Sequence, residues 1–404
     1  MSDAKKKRLA FVTWAPRVSG IEVALCAMLE NIDYDRYDVT VLFTTNESYH
    51  KDHESTSVLS RLDPRAHVYV ADRTQCVSFK RRYRFNLLRR VGGRLYWHLK
   101  APLARKIGAW LLDAEADLYG RYVRRCLGPA ADVDTVVLYH PFATEEGVRV
   151  FNYKRFVLVY HCGGQEHVHH QELGFEAADK ILSVGRRVAD DIRAWFPQYA
   201  AKVDVAENLI DVSHVLAMAQ EPPSIAFAPD GVLHVVTCAR LDFRKGIDLA
   251  LDAMAKLVAD GVTNFHYHVI GWDMDAAKYE AQLKRLRLEP YVTLHGHNPN
   301  PYPMMKRADV YLQPSKEEAF GITIAEALLL GCPVVSTRSQ GGTDLLSEPG
   351  VKGILCDISA DAIAAALKPL LADAAARDAL RNGDYRERCE AANRERLARF
   401  LSFA

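Results

Sequence analysis
Short apolar runs recur along this chain, each closed by glycine, proline or a charged turn and followed by a stretch with helical spacing. Residues 9–14 (LAFVTW) read as a buried strand, 16–20 (PRVSG) as a loop, 21–29 as a helix with an apolar face, and 38–43 (DVTVLF) as the next strand. Strand, loop, helix, strand at this spacing predicts the opening of a doubly wound α/β fold. Residues 134–140 and 155–161 read as two further buried strands, each ending on a histidine, and 180–184 and 202–205 as two more. A polar, proline-bearing link at 219–224 then breaks the pattern. It restarts with strands at 233–239, 265–271 and 291–296 and a helix at 276–286. Residues 309–315 (DVYLQPS) predict another strand, 322–330 a helix stopped by Gly331 and Pro333, and 333–337 (PVVST) the strand after it. Two last helices are predicted at 361–372 and 385–400. The pattern therefore predicts two doubly wound units in series.

Composition narrows this little. The 404 residues are 49% apolar and 25% charged, which suits a soluble globular chain of two or three domains. A net charge of +1 gives no global field toward nucleic acid or membrane, so any such attraction must be local. The eight cysteines are scattered without a CxxC pair, as expected of reduced thiols in a cytoplasmic protein. The N-terminal apolar run is too short for a secretory signal, and no run has the length of a membrane span. A membrane role, if there is one, is expected from the cytoplasmic face.

One local field does stand out. From Arg73 to Leu112 there is no Asp or Glu, while Lys80, Arg81, Arg82, Arg84, Arg89, Arg90, Arg94, Arg105 and Lys106 alternate with Phe79, Tyr83, Leu87, Trp97, Ile107 and Trp110. Cations interleaved with aromatics and leucines at helical spacing are what an interfacial helix presents to an anionic membrane or to a phosphate-bearing acceptor. A solvated basic face, or an RNA surface, would share the pattern. Gly92-Gly93 is expected to divide the stretch into two helical pieces.

The candidate chemistry centres on residues 311–337. Glu317, Glu318, Phe320 and Gly321 form an acidic loop over the start of the predicted helix at Ile322, whose unpaired amides and positive dipole end suit a phosphate or polyhydroxyl ligand. Glu326 lies inside an otherwise apolar helix, where an ionised carboxylate is costly unless something binds it. Glu318 and Glu326, with Phe320-Gly321 between them and Ala327, Gly331 and Pro333-Val334-Val335 after them, resemble the E-x7-E signature of retaining, nucleotide-sugar-dependent family-4 glycosyltransferases. Further stretches are similar to the same family. They are Ser19-Gly20-Ile21-Glu22 against its Gly-Gly-x-Glu loop, and the run from Arg240-Leu241 to Lys245-Gly246 after the first strand of the second unit. Glu207-Asn208-Leu209-Ile210-Asp211 resembles the end of its first domain, and Gly185 stands where serine is usual.

The resemblance implies the GT-B architecture, two Rossmann-like domains facing a central cleft with the C-terminal helix crossing back. Residues 1–211 would form the acceptor domain, 212–385 the donor domain and 386–404 the returning helix. Arg240 and Lys245 would hold the donor diphosphate, Glu326 the ribose, and Glu318 with the amides around Phe320, Gly321 and Ile322 the sugar. His161 would touch the sugar near the reacting carbon. Gly20 and Gly271 would admit the nucleotide, and Asn208 would adjoin it. No protein nucleophile is implied. The donor would be a nucleotide-diphospho-sugar, UDP-linked by family frequency, and the acceptor a glycan or lipid-linked glycan. A sugar-nucleotide hydrolase or epimerase, or a basic nucleic-acid-binding scaffold, are the other functions such a chain could have. His161, Cys162, Glu166, His167, His169 and His170 lack a distant partner pair, so no metal and no tightly bound cofactor is expected; Asp273-Met274-Asp275 precedes a helix and reads as its cap.

Overall fold
The computed structural model describes residues 6–16, 19–44, 57–70, 91, 102–140, 147–163, 172–227, 231–271 and 276–404. Arg81, Arg82, Arg89 and Arg90, the Gly92-Gly93 break, the cluster from Glu166 to His170 and the 273–275 aspartates lie outside the described residues.

Seven strands make the first sheet: β1 (Lys7–Thr13), β2 (Tyr37–Phe43), β3 (His67–Val70), β4 (Thr135–Leu138), β5 (Arg155–Tyr160), β6 (Lys180–Ser183) and β7 (Val203–Val205). They are parallel, in the order β3-β2-β1-β4-β5-β6-β7. Six strands make the second: β8 (Leu233–Cys238), β9 (Phe265–Ile270), β10 (Val292–Gly296), β11 (Val310–Gln313), β12 (Val334–Thr337) and β13 (Ile354–Cys356), in the order β10-β9-β8-β11-β12-β13. The central strands are buried almost end to end, β1 through Leu9, Ala10, Phe11 and Val12 and β12 through Val334 and Val335, because helices cover both faces of a parallel sheet. The continuous apolar runs of the sequence are the direct consequence.

In such sheets the strand order reverses at one point and leaves a crevice beyond the carboxyl ends of the two strands there. The reversal falls between β1 and β4 in the first sheet and between β8 and β11 in the second. The loop after β1 leads into helix α1 (Gly20–Asn31), and the loop after β11 leads toward the helix that starts at Ile322.

The helices that matter to the site are α2 (Pro102–Leu127), α3 (Arg186–Trp195), α4 (Val212–Met218), α5 (Ile247–Ala259), α6 (Tyr302–Arg307), α7 (Ile322–Leu329), α8 (Gln340–Leu346) and α9 (Tyr385–Phe403). α2 begins inside the acid-free stretch, with proline in its first turn, and runs past that stretch to Leu127, where Val123 and Leu127 enter the core. α9 crosses back to the first sheet. Phe400 stacks on Phe11 of β1 at 5.9 Å, and Arg399 pairs with Asp204 of β7 at 2.8 Å. Buried Asn393 accepts from the Ile210 N–H at 3.0 Å and donates to the Ile210 carbonyl at 2.7 Å, clamping the chain where it leaves the first sheet.

Candidate active site
The loop after β8 carries the cations. Asp242 opens a short 3-10 turn by accepting from the Arg244 N–H at 3.0 Å, and Gly246 ends that turn at φ 65°, a conformation that favours glycine. The Asp242 carboxylate also receives the Arg240 guanidinium at 3.1 Å and that of Arg244 at 3.3 Å. Burial pushes this carboxyl up, but the charge of Arg240 and the hydrogen bond from Arg244 outweigh it and hold it below the usual carboxylate range. One buried acid therefore aims two guanidiniums. Arg244 was missed from sequence; its signal was the Arg240-x-Asp242-x-Arg244 spacing, which lets one carboxylate serve both.

The loop after β11 carries the carboxylates and hangs on the cation loop. The Arg244 carbonyl accepts from the Lys316 N–H at 2.7 Å and the Glu317 N–H at 3.2 Å. Lys245 donates to Glu318 at 2.6 Å, so the two groups expected to serve phosphate and sugar meet each other. Gly321, at φ 87°, caps α7 without any side-chain hydrogen bond, leaving the helix start open to a ligand. Phe320 is buried beside it, and Ile322 is the first residue of the helix.

Glu326, one turn further in, is only 5% exposed. The Tyr302 hydroxyl of α6 donates to it at 2.9 Å. Burial pushes the carboxyl up to about 7, against the pull of that hydrogen bond and of the Arg61 charge. The sequence argument required a binding partner for this carboxylate; Tyr302 is one, supplied by the chain itself.

The first domain faces this assembly. A Cβ placed on Gly20 would lie 3.7 Å from the Ile322 side chain, and one on Gly163 would lie 3.4 Å from the Glu318 amide nitrogen. Gln340 of α8 donates to the Gly163 carbonyl at 3.0 Å. Gly185 touches the same loop: a Cβ there would fall 2.2 Å from the Ala319 carbonyl oxygen, which accounts for glycine in place of serine. Ser19 caps α1 and donates to Glu22, which is buried and also accepts from Thr13 at 3.0 Å, with His140 3.8 Å away. The serine that departs from the family loop thus has a structural task. His161 packs on Tyr139 at 4.8 Å between ring centroids, and burial lowers it to about 3, leaving a neutral imidazole at physiological pH. Its Nε2 is buried without a hydrogen-bond partner among the described residues.

Gly271 lies against β8, where a Cβ would meet the Ala239 carbonyl oxygen at 1.8 Å, directly before Arg240. Asn208 is buried two residues before the Ile210 clamp. Among the described residues no group of His, Cys, Asp and Glu has the geometry to hold a metal ion.

Residues 220–395, which bear this cation loop and this acidic loop, match the family model described as glycosyl transferases group 1. That stretch is similar to the domain of group 1 glycosyltransferases. Among curated proteins, the chain is 32% identical to the putative colanic acid biosynthesis glycosyltransferase WcaL of Salmonella typhimurium over 149 residues, 35% of the chain and 36% of that protein. It is 25% identical over 292 residues, 69% of the chain and 77% of that protein, to a Campylobacter jejuni enzyme named N-acetylgalactosamine-N,N'-diacetylbacillosaminyl-diphospho-undecaprenol 4-alpha-N-acetylgalactosaminyltransferase. Among solved structures, Anabaena HepE in complex with UDP and glucose superposes with a TM-score of 0.67 at 17% identity, covering 98% of this chain and all of that one. WaaG, a glycosyltransferase involved in lipopolysaccharide biosynthesis, gives 0.60 at 16% identity, covering 95% of each chain. At these identities the likeness establishes the fold: two Rossmann-like domains in the GT-B arrangement.

Proposed function
We propose that this chain is a retaining glycosyltransferase that moves a hexosyl unit from a UDP-sugar to a lipid-linked glycan in the assembly of a cell-surface polysaccharide. The observation that carries the reading is the convergence, at the reversal point of the second sheet, of Arg240, Lys245 and Glu318 over the open N-terminus of α7, with Gly20 and Gly163 of the first domain against it. UDP in the HepE complex and the diphospho-undecaprenol in the name of the Campylobacter relative support the choice of donor and acceptor class.

Arg240 and Lys245 hold the donor diphosphate and neutralise the charge that grows on it as the glycosidic bond breaks; Asp242 already aims Arg240 before the donor arrives. On binding, Lys245 turns from Glu318 toward phosphate and frees that carboxylate for sugar hydroxyls. Glu326 takes the ribose. Neutral His161 accepts from a sugar hydroxyl through Nε2. Among the described residues no carboxylate stands apart as a nucleophile, and retention is by attack on the face the leaving phosphate departs, with that phosphate assisting deprotonation of the acceptor. Closing the cleft excludes the water that would hydrolyse the donor. The enzyme works at the inner face of an anionic membrane, to which α2 presents Leu103, Ile107 and Trp110.

The test is turnover of a panel of UDP- and GDP-sugars with and without a lipid-diphosphate glycan acceptor, the product anomer being read by NMR. Acceptor-dependent transfer with retained configuration, lost in Arg240→Ala and Lys245→Ala, is expected. Donor consumption indifferent to acceptor would make the chain a hydrolase, and inversion would sink the mechanism.

A further inference from the structure
Two arginines and two glutamates close a ring where the first domain, the second domain and α9 meet. Arg186, first residue of α3, reaches Glu207 at 3.0 Å and Glu348 at 2.9 Å. Arg396 of α9 reaches the same two carboxylates, at 2.9 Å and 3.8 Å. Glu207 belongs to the segment between β7 and α4, and Glu348 follows α8, so every pair made by Glu348 joins it to the far side of the cleft. Beside the ring Arg187 adds a third such link: its guanidinium lies 3.4 Å from Asp344 of α8, and its backbone N–H donates to the same carboxylate at 3.1 Å.

The ring is built unevenly. Arg186 is half exposed, while the Arg396 side chain is 10% exposed and depends on its two acids, because a buried charge without partners is strongly unfavourable. The Arg396 guanidinium also lies 5.1 Å from the centroid of the Phe320 ring, where a cation is attracted by the aromatic face. Gly185, immediately before Arg186, is the residue that presses on the Ala319 carbonyl. The ion pairs and the acidic loop are therefore one mechanical unit: α3 and α9 hold Glu348 and Asp344 on one side and Ala319-Phe320 on the other.

We propose that Arg186, Arg396, Glu207 and Glu348 form an interdomain latch that couples closure of the cleft to the placing of the Phe320-Gly321 loop. Arg396 and Glu348 are then positioning residues. They touch neither phosphate nor sugar, and they set where the amides at the start of α7 stand when the domains meet. This rests on the proposed role of that loop in holding the sugar. When the second domain swings away, Glu348 leaves both arginines, Asp344 leaves Arg187, and Phe320 loses its cation.

The experiment uses the full chain with Glu348→Gln, Asp344→Asn and the double variant. Gln and Asn keep the shape and one hydrogen-bonding oxygen, and circular dichroism establishes that the fold persists. X-ray scattering on the ligand-free proteins should show a larger radius of gyration in the double variant, and in the wild type at high salt, since the Arg186 arm is screened. Sugar transfer should lose about tenfold in kcat with a smaller change in UDP-sugar Kd, the signature of misplacement rather than lost contact. A double variant with unchanged radius and unchanged kcat overturns the latch; so does one that loses only melting temperature, which would make the ring a structural tie. Absence of UDP-sugar binding by the wild type would sink the donor-site reading and leave the scattering result to stand by itself.

Discussion
At Glu326 the sequence and the structure pose the same problem, a carboxyl surrounded by apolar helix residues, and the structure shows how it is contained. One hydroxyl, from Tyr302, reaches it, and burial raises it to about 7, so near neutrality the group is shared between its two forms. A ribose offers two hydroxyl donors, which an ionised carboxylate accepts more strongly than a neutral acid. Binding of a UDP-sugar should therefore release a proton at this site. The sign follows directly: below pH 7 the acid must first be deprotonated, so affinity should weaken by about tenfold per pH unit in that range and level off above it. The diphosphate of a UDP-sugar is a diester without a proton to lose there, which makes it a cleaner probe than UDP. Calorimetry between pH 6 and pH 8 reads the effect. Glu326→Gln should bind more weakly and show a flat profile; an equally steep profile in that variant would place the titrating group elsewhere.

At the scale of elements, α2 changes character along its length. Its last turn is anchored by Val123 and Leu127, whereas Leu103, Ile107 and Trp110 in its first half share one face and are 70%, 44% and 68% exposed. Lys106 is exposed beside them, and the first acid of the helix is Asp113. An apolar stripe set among cations gains from an anionic bilayer in two ways, by burying area and by about 1 kcal/mol for each basic residue near the surface. Leu103→Ser, Ile107→Ser and Trp110→Ser together should release the protein from vesicles rich in anionic lipid, and Arg81, Arg82, Arg89 and Arg90 to Gln should do the same with a loss of salt dependence. Equal sedimentation with anionic and neutral vesicles would refute the electrostatic part. This helix also marks where the sequence stopped being legible. The strands could be read because a parallel sheet covered on both faces demands unbroken apolar runs, and the α7 stretch because glycine and proline punctuate it. The end of the acid-free interval at Leu112 gave no boundary, since α2 continues through Asp113 on helical propensity and core contacts. Arg240, Lys245 and Glu318 could be singled out as candidates because loops at the strand-order reversals are short and close in sequence to their strands. Tyr302 and the ring around Glu348 could not: each acts through a partner dozens of residues away, and pairing of that kind leaves no spacing to read, whereas Arg244 had its signal in the spacing it shares with Arg240 about Asp242.

For the whole molecule, the histidines decide how the two domains meet acid. Across the second sheet, His234 and His268 face each other at 3.0 Å and His268 and His295 at 2.9 Å, so His268 has both ring nitrogens engaged by other imidazoles. Such a row is satisfied only while neutral, each ring donating at one nitrogen and accepting at the other. Burial, with the neighbouring histidines, lowers His268 to about 3; burial lowers His266 and His295 too, and His161 in the first domain to about 3. These folded values lie below the unfolded value near 6.5, so the unfolded chain takes up protons that the fold refuses, and stability is lost as pH falls from about 6.5 toward 3, by about 1.4 kcal/mol per pH unit for each proton. Glu326 works in the opposite direction: its raised value makes the fold the better proton acceptor between about 4.5 and 7, so it gains stability as pH falls through that window. Burial raises Glu30 and Asp344 as well, but His161, His214, His266, His268 and His295 are all lowered, which leaves the balance with the histidines. Melting temperature should accordingly drop steadily from pH 7 to pH 5. His268→Gln should make that drop shallower by removing the most constrained ring, and Glu326→Gln should make it steeper by removing a group that opposes it. Opposite responses of the two variants are the discriminating result, because general acid expansion from net positive charge would move both curves alike; parallel curves would show that the histidine row does not govern the acid limit.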